Sequence, residues 1–177
     1  MIEKLGLIFS IFGMVLTIAS FQMKTRGQIL IFQTIGSLFF LLSFLWQNEM
    51  TAVVLNCIFL VRNLIFYFGR NQKWAGHWIW LPILQCAVIA AGIFSFKDWQ
   101  DILPVIGSVF GTVAMYMKNE NMMRLLKLGD SPCWLVYNCT VPNPGDNIGA
   151  IICEVFNILS IIVGLIRYRK KGLTQKA

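Results

Sequence analysis

Seven apolar stretches separated by short polar breaks make up most of the chain. They are 17 to 21 residues long, and a helix of that length crosses the roughly 30 Å hydrocarbon core of a bilayer at about 1.5 Å per residue. The sequence therefore predicts an all-α integral membrane protein with seven transmembrane helices. The sixth is expected to be short, tilted or broken, because Asp130, Pro132 and Pro142 interrupt it. The predicted spans are residues 5–21, 29–45, 51–68, 78–96, 101–117, 125–141 and 148–168.

Composition excludes a soluble globular domain. Hydrophobic residues make up 57% of the chain and charged residues only 13%, whereas a soluble domain carries about 25% charged residues. The mean hydropathy is +0.68. The net charge of +7 does not indicate nucleic acid as a partner, because the basic residues form short clusters between apolar stretches, as in membrane topology signals. Membrane lipids are the expected surroundings.

The charged residues alternate between the two sides of the predicted membrane. Twelve of the 15 basic residues fall on one side: Lys24, Arg26, Arg70, Lys73, Lys118, Arg124, Lys127, Arg167, Arg169, Lys170, Lys171 and Lys176. The opposite connections hold Glu49, Asp98, Asp101 and Asp146, with Lys97 as their basic residue. Positive charge marks the cytoplasmic side, so the N-terminus is predicted outside and the C-terminus in the cytoplasm.

An internal repeat organises the spans. Residues 11–24 and 105–118 match at an offset of 94, with glycine, valine, methionine and lysine shared at four positions. With four extra residues near position 145, the third span aligns with the seventh and places Asn56 opposite Glu154. The prediction is a first three-helix repeat at 1–70, a linker helix at 71–100 and a second repeat with a basic tail at 101–177. Because the linker inverts the chain, the two repeats are parallel.

Three ionisable residues lie within predicted spans, where such groups are rare and suggest function by default. They are Arg62, Asp130 and Glu154. Counting helical rise puts Arg62 between the two acids in depth, so it could pair with either. Two structural alternatives are a buried ion pair and an arginine that snorkels to the membrane surface. In the functional alternative, Glu154 binds a proton or cation and Arg62 is its partner or an anion-binding group.

Buried amides point to a polar pocket. Asn56 and Asn63 are seven residues apart and share one face of the third span, while Glu154, Asn157 and Ser160 follow one edge of the seventh. Amides at this depth need partners, which a solute or a neighbouring helix can supply. The candidate substrate-binding residues are Asn56, Arg62, Asn63, Glu154, Asn157 and Ser160.

No pattern in the chain predicts catalysis. We find no nucleophile triad, metal-ligand cluster or phosphate-binding loop, so we expect neither an enzyme, nor a cofactor, nor a metal. The five cysteines show no paired spacing and are interpreted as packing residues.

Several short motifs resemble the YgjV family of bacterial inner-membrane proteins. They are residues 20–24 with Arg26, residues 28–33, Thr51 with Ala52, Asn56, and Arg62 with Asn63. The resemblance covers the first 70 residues well and the remainder loosely. That family is similar to the MtN3/SWEET and PQ-loop superfamily, which implies a SWEET-like fold and an asparagine-lined pocket on the third helices. The chain lacks a Pro-Gln pair and a proline in its first span, so sugar transport is not carried over.

The sequence and the resemblance together favour a transporter of a small polar solute that works by alternating access between the two repeats. The alternative is a ligand sensor or accessory protein of the same fold, whose basic tail at residues 167–176 would meet a cytoplasmic partner or anionic lipid. The identity of the solute and any homo-oligomerisation stay open.

Overall fold

The computed structural model describes residues 2–46, 50–69, 71–96, 98–140 and 148–174, and every regular element in these ranges is helical. The all-α prediction is therefore confirmed. The α-helices are α1 (Ile2–Ser20), α2 (Arg26–Trp46), α3 (Met50–Phe68), α4 (Trp80–Ser95), α5 (Ile102–Tyr116), α6 (Glu120–Thr140) and α7 (Ile148–Thr174). A short 3-10 turn at Trp99–Asp101 leads into α5. Six residues that were used in the sequence predictions lie outside the described residues: Glu49, Arg70, Lys97, Pro142, Asp146 and Lys176.

The sixth helix differs from the prediction. It begins at Glu120, five residues earlier than expected, and runs for 21 residues through Pro132, so the expectation of a short or broken span is wrong. Pro132 has no N–H to donate to the carbonyl of the preceding turn, yet α6 continues through it. Transmembrane helices tolerate proline within a helix bundle.

The distribution of polar side chains is that of a membrane protein. Among residues whose burial is described, 15 polar or charged side chains are buried, against 13 hydrophobic ones. Large apolar side chains face outward, and Phe94 on α4 is 91% exposed. In water this arrangement would be unfavourable, whereas a bilayer is a matched solvent for the outer surface. By length and hydropathy, Arg26–Trp46 and Gly149–Tyr168 are clear membrane-spanning segments, and Ile8–Ser20, Val53–Phe68 and Trp80–Phe94 are shorter apolar helices.

The helices pack as two consecutive groups with α4 beside both. In the first group α2 lies between α1 and α3, and in the second α6 lies between α5 and α7. Helix α4 contacts α3 and α5, and the two groups meet where α1 touches α7 and where α3 touches α5. One buried apolar cluster ties α2, α3, α4, α5 and α6 together; it contains Ile29, Leu30, Ile65, Phe66, Leu84, Met115 and Met123.

The first two helices of each group cross each other at equivalent positions. A Cβ atom at Gly13 of α1 would lie 3.1 Å from the carbonyl oxygen of Gly36, and one at Gly107 of α5 would lie 3.1 Å from the carbonyl oxygen of Asp130. Gly107 and Asp130 each lie 94 residues after their counterparts, and α6 begins and ends 94 residues after α2. The offset found in the sequence therefore recurs in the helix contacts.

A pair of glycine substitutions in α7 tests the contact between α1 and α7. At Gly164 a Cβ atom would come within 2.6 Å of the carbonyl oxygen of Phe21, whereas at Gly149 nothing lies within 4 Å. We expect Gly164→Ala to lower the free energy of unfolding by about 1–3 kcal/mol, as overpacking does. Gly149→Ala should leave it unchanged or raise it, because alanine favours helix. Thermal unfolding of the detergent-purified variants measures both, and equal stabilities would contradict this packing.

Candidate functional site

Arg62 of α3 is buried without an acidic partner. Its side chain is 4% exposed, and its guanidinium donates to the Thr112 hydroxyl and to Asn63 Oδ1, each over 3.2 Å. The guanidinium also lies 4.7 Å from the ring centroid of Phe59. Among the described residues, no carboxylate oxygen lies within 4.0 Å of it, so Arg62 forms an ion pair with neither predicted acid. It does interact electrostatically with Asp130.

Asp130 of α6 pairs instead with a lysine of its own helix. One carboxylate oxygen contacts the ammonium of Lys127, one turn earlier, and both side chains are largely buried. The carboxylate rests on the glycines of α5, since a Cβ atom at Gly111 would lie 2.7 Å from Asp130 Oδ2 and one at Gly107 would lie 3.1 Å from Oδ1. The glycine pair of the fifth span therefore makes room for a charged group, in addition to allowing close helix packing.

Glu154 of α7 is held by neutral donors. The Asn157 amide donates to Glu154 Oε2 over 3.5 Å, and the Ser131 side chain is a second hydrogen-bond partner. Asp130 and Lys127 interact with Glu154 electrostatically, but no cationic nitrogen of the described residues lies within 4.0 Å of its carboxylate. We call Arg62, Lys127, Asp130 and Glu154, with Asn63 and Asn157, the buried polar cluster.

Three atoms of this cluster have no hydrogen-bond partner among the residues that the structure describes. They are Asn63 Nδ2, Asp130 Oδ1 and Asn157 Oδ1. The parent side chains are 0%, 4% and 5% exposed respectively. Buried polar atoms in native proteins are nearly always bonded, because leaving one unpaired is unfavourable by about 1–3 kcal/mol. A cluster that keeps one unpaired donor and two unpaired acceptors is suited to a polar ligand.

The other two predicted residues, Asn56 and Ser160, have polar contacts of their own. Asn56 is half-buried on α3 and has a polar contact of its own. Ser160 bonds to α1: its hydroxyl donates to the carbonyl of Ile18 over 2.7 Å and accepts from Gln22 Nε2 over 2.9 Å. Ser160 therefore joins α7 to α1. Thr112, Lys127 and Ser131 belong to the site but were absent from the sequence prediction.

The contacts of Arg62 and Ser160 occupy equivalent places in the two groups. Ser160 lies 98 residues after Arg62, and its partner Ile18 lies 94 residues before Thr112, the partner of Arg62. These offsets are the ones that the sequence alignment predicts for the third and first helices. Each third helix thus bonds to the first helix of the other group at the same height.

Two arginines close one end of the helix bundle by the same kind of contact. Arg26 of α2 donates to the carbonyls of Met115 and Met117, at the end of α5, over 3.0 and 2.8 Å. Its backbone N–H also donates to the Glu120 carboxylate over 3.1 Å. The last four carbonyls of a helix have no partner within the helix, so a guanidinium there both bonds to them and complements the helix dipole.

Arg124 of α6 makes the reciprocal contact. It is fully buried and donates to the carbonyls of Phe21, over 3.0 Å, and Met23, just beyond the end of α1. The Tyr168 ring lies 4.6 Å from its guanidinium. Met115 and Met117 lie 94 residues after Phe21 and Met23, so the two arginines bind equivalent carbonyls. We call these contacts the arginine clamps; the sequence interpretation had treated both arginines as topology signals.

A separate cavity lies on the connection between α3 and α4. Its volume is about 470 Å³, and it shares no residue with the buried polar cluster. The lining residues are Gly69, Asn71, Gln72, Lys73, Gly76, His77, Trp78 and Tyr116. The Lys73, His77 and Trp78 side chains are exposed, so the cavity lies at the surface of the bundle.

The described residues contain no group of three or more histidine, cysteine or acidic side chains that could hold a metal ion. The five cysteines are free. Cys153 is the buried one among them, and its sulfur lies 3.8 Å from the Asn157 amide nitrogen. It is therefore a convenient chemical reporter beside the buried polar cluster.

An all-helical chain with an apolar outer surface and a buried set of charged and amide side chains is an integral membrane protein. The chain belongs to the Imp-YgjV family of bacterial inner membrane proteins, which matches residues 4–172. The predicted family is therefore confirmed, and the match extends far beyond the first 70 residues. No curated protein and no solved structure matches the chain.

Proposed function

We propose that this inner membrane protein carries a small polar solute by alternating access. In this proposal α1–α3 and α5–α7 are two parallel three-helix repeats joined by α4, and the chain crosses the membrane seven times. The N-terminus lies outside and the C-terminus in the cytoplasm, which puts the arginine clamps at the cytoplasmic end. The offsets of 94 and 98 residues in the helix contacts support the repeat, since unrelated helices would not share them.

The observation that carries the proposal is the buried polar cluster with its unpaired atoms. It draws side chains from α3, α6 and α7 around the small residues of α5, where the two helix groups meet. Repeat-built transporters bind their solutes at such an interface near the middle of the membrane. A purely structural cluster would gain by pairing its own donors and acceptors, whereas Asn63, Asp130 and Asn157 leave atoms free for a solute.

The arginine clamps supply the second element that alternating access requires. They tie the two groups together at one end, so this conformation is closed there. Movement of one group against the other must break both clamps and free the carbonyls at the ends of α1 and α5. Because the two clamps bind equivalent carbonyls, a rocking motion about the axis between the groups would release them together.

Uptake into proteoliposomes tests the proposal. The vesicles are given an equimolar mixture of the twenty amino acids, hexoses, pentoses and small carboxylic acids, and the accumulated compounds are identified by mass spectrometry. We expect accumulation above protein-free vesicles, and at least a tenfold loss in Asn157→Ala and in Glu154→Gln. The exposed amide variant Gln72→Ala is the matched control and should transport normally.

Two outcomes would count against a carrier. Accumulation that is equal in Asn157→Ala, Glu154→Gln and the unaltered protein would remove the proposed site. Saturable binding of a compound by the purified protein without any accumulation would instead identify a ligand sensor of the same fold.

A further inference from the structure

We propose that the solute is a small zwitterion of the amino-acid type, with one carboxylate and one ammonium group. This inference rests on the proposed function in one respect, namely that the buried polar cluster is the solute site. It adds the chemical class of the solute, which follows from how charges and unpaired atoms are distributed within the cluster.

The cluster contains two opposite charges that form no ion pair within 4.0 Å among the described residues. The Arg62 guanidinium has Thr112, Asn63 and the Phe59 ring as its neighbours, but no carboxylate within 4.0 Å among the described residues. The Glu154 carboxylate has only hydroxyl and amide donors. A buried charge strongly favours a hydrogen-bonded counter-ion. A ligand carboxylate would satisfy the first charge, and a ligand ammonium the second.

The unpaired neutral atoms are sorted in the same way. Asn63 Nδ2, a donor, belongs to the residue that accepts from Arg62. Asn157 Oδ1, an acceptor, belongs to the residue that donates to Glu154. The α3 side therefore offers donors, which a carboxylate accepts, and the α7 side offers acceptors, which an ammonium group requires. Asp130 interacts electrostatically with Arg62 and with Glu154, and its free Oδ1 adds a further acceptor.

The charge balance of the cluster selects a ligand without net charge. With all four side chains in their ionised forms, Arg62 and Lys127 balance Asp130 and Glu154, and the charges sum to zero. A lone carboxylate or a lone ammonium would leave one uncompensated charge at membrane depth, which is unfavourable. A neutral polyol would keep the balance but leave Arg62 and Glu154 without counter-ions. A zwitterion keeps the sum at zero and pairs both groups.

Binding to the detergent-purified full chain tests the inference with matched probes. The zwitterions are glycine, β-alanine, γ-aminobutyrate and the remaining protein amino acids. Propionate carries only the carboxylate, propylamine only the ammonium, and glucose neither. Thermal shift identifies stabilising probes, because a ligand that binds the native state raises its melting temperature, and equilibrium dialysis gives the affinities. We expect at least one zwitterion to bind, with the single-charge analogues at least tenfold weaker.

Charge variants then assign the two ends of the ligand. In Glu154→Gln the best zwitterion and its carboxylate-only analogue should bind within about twofold of each other, because the ammonium has lost its counter-ion. In Arg62→Gln the ammonium-only analogue should approach the zwitterion in the same way. Glu154→Asp keeps the charge and should keep the preference, which separates loss of charge from loss of folding. Arg167→Gln removes an exposed charge outside the cluster and should leave every affinity unchanged.

Three results would overturn the inference. If propionate binds as tightly as every zwitterion, the cluster is an anion site. If glucose binds and no zwitterion does, it is a site for a neutral solute. If no zwitterion binds at all, the proposed class of solute is wrong. The proposed function fails separately. Zwitterion binding without uptake into proteoliposomes would refute the carrier function but keep the zwitterion site. Uptake of a neutral sugar alone would keep the carrier function but refute the zwitterion site.

Discussion

Replacing Arg124 by glutamine is expected to open the clamped end of the bundle. The Arg124 guanidinium is fully buried and bonds to the carbonyls of Phe21 and Met23, beside the Tyr168 ring. A glutamine side chain is shorter and has only one amide group, so at least one of these carbonyls loses its partner. Losing a charged donor to buried acceptors lowers stability by about 3 kcal/mol. In the proposed alternating access, that loss falls on the conformation closed at this end, so the equilibrium should shift toward the one in which this end is open.

The chemical reactivity of Cys153 measures this shift. In a background where the other four cysteines are replaced by serine, a water-soluble thiol reagent is applied separately from each side of sealed vesicles. Cys153 lies beside Asn157 in the buried polar cluster, so it reports access to the site. We expect Arg124→Gln to raise the labelling rate from the clamped side at least tenfold. Arg124→Lys keeps a charge that can reach one carbonyl, and its rate should be intermediate.

The equivalent clamp provides the comparison. Arg26 bonds to Met115 and Met117 as Arg124 bonds to Phe21 and Met23, but Arg26 is only half-buried. Because solvent can replace part of its contacts, Arg26→Gln should change the labelling rate in the same direction and by less. Arg167→Gln should have no effect. Unchanged labelling in Arg124→Gln would mean that the clamp holds the fold together without controlling access to the site.

The helices could be predicted from the sequence because a bilayer imposes a simple requirement on it. Apolar residues must continue for the thickness of the membrane, and this pattern predicted six of the seven helices. The sixth was predicted from the charge alternation and the internal repeat. The sixth was misjudged because proline and charge within a span are read as interruptions. Inside the bundle Pro132 leaves α6 continuous, and Asp130 is paired with Lys127. A lysine one turn before an aspartate on the same helix face was the signal that would have predicted this pairing.

The candidate site could be predicted only in part. Rarity of charge in a membrane span was enough to single out Arg62, Asp130 and Glu154. Their partners could not be predicted, because depth along a helix says nothing about which side of a neighbouring helix a side chain meets. Arg62 faces Thr112 on one side of α5, while Asp130 lies against the glycines of the same helix. The arginine clamps were hidden for a different reason: their acceptors are backbone carbonyls, which every residue has.

Replacing Asp130 by asparagine is expected to destabilise the protein strongly. The substitution leaves the Lys127 ammonium largely buried without its carboxylate and removes an acid that interacts electrostatically with Arg62. Removing one partner of a buried ion pair lowers the free energy of unfolding by about 3–5 kcal/mol. The double variant Lys127→Met with Asp130→Asn removes both charges and should recover most of that loss, because methionine fills a similar volume without a charge.

Unfolding in mixed detergent micelles gives the stabilities of the unaltered protein, the two single variants and the double variant. We expect a coupling energy between positions 127 and 130 that is well above the value found for independent sites. An Asp130→Asn variant as stable as the unaltered protein would mean that Lys127 reaches the membrane surface, so that the ion pair contributes nothing to stability.

The double variant also tests the ligand, because the charges of Arg62 and Glu154 still balance in it. If charge balance selects the ligand, this variant should still prefer a zwitterion over propionate, whereas Asp130→Asn alone leaves an excess of positive charge and should shift the preference toward the anion.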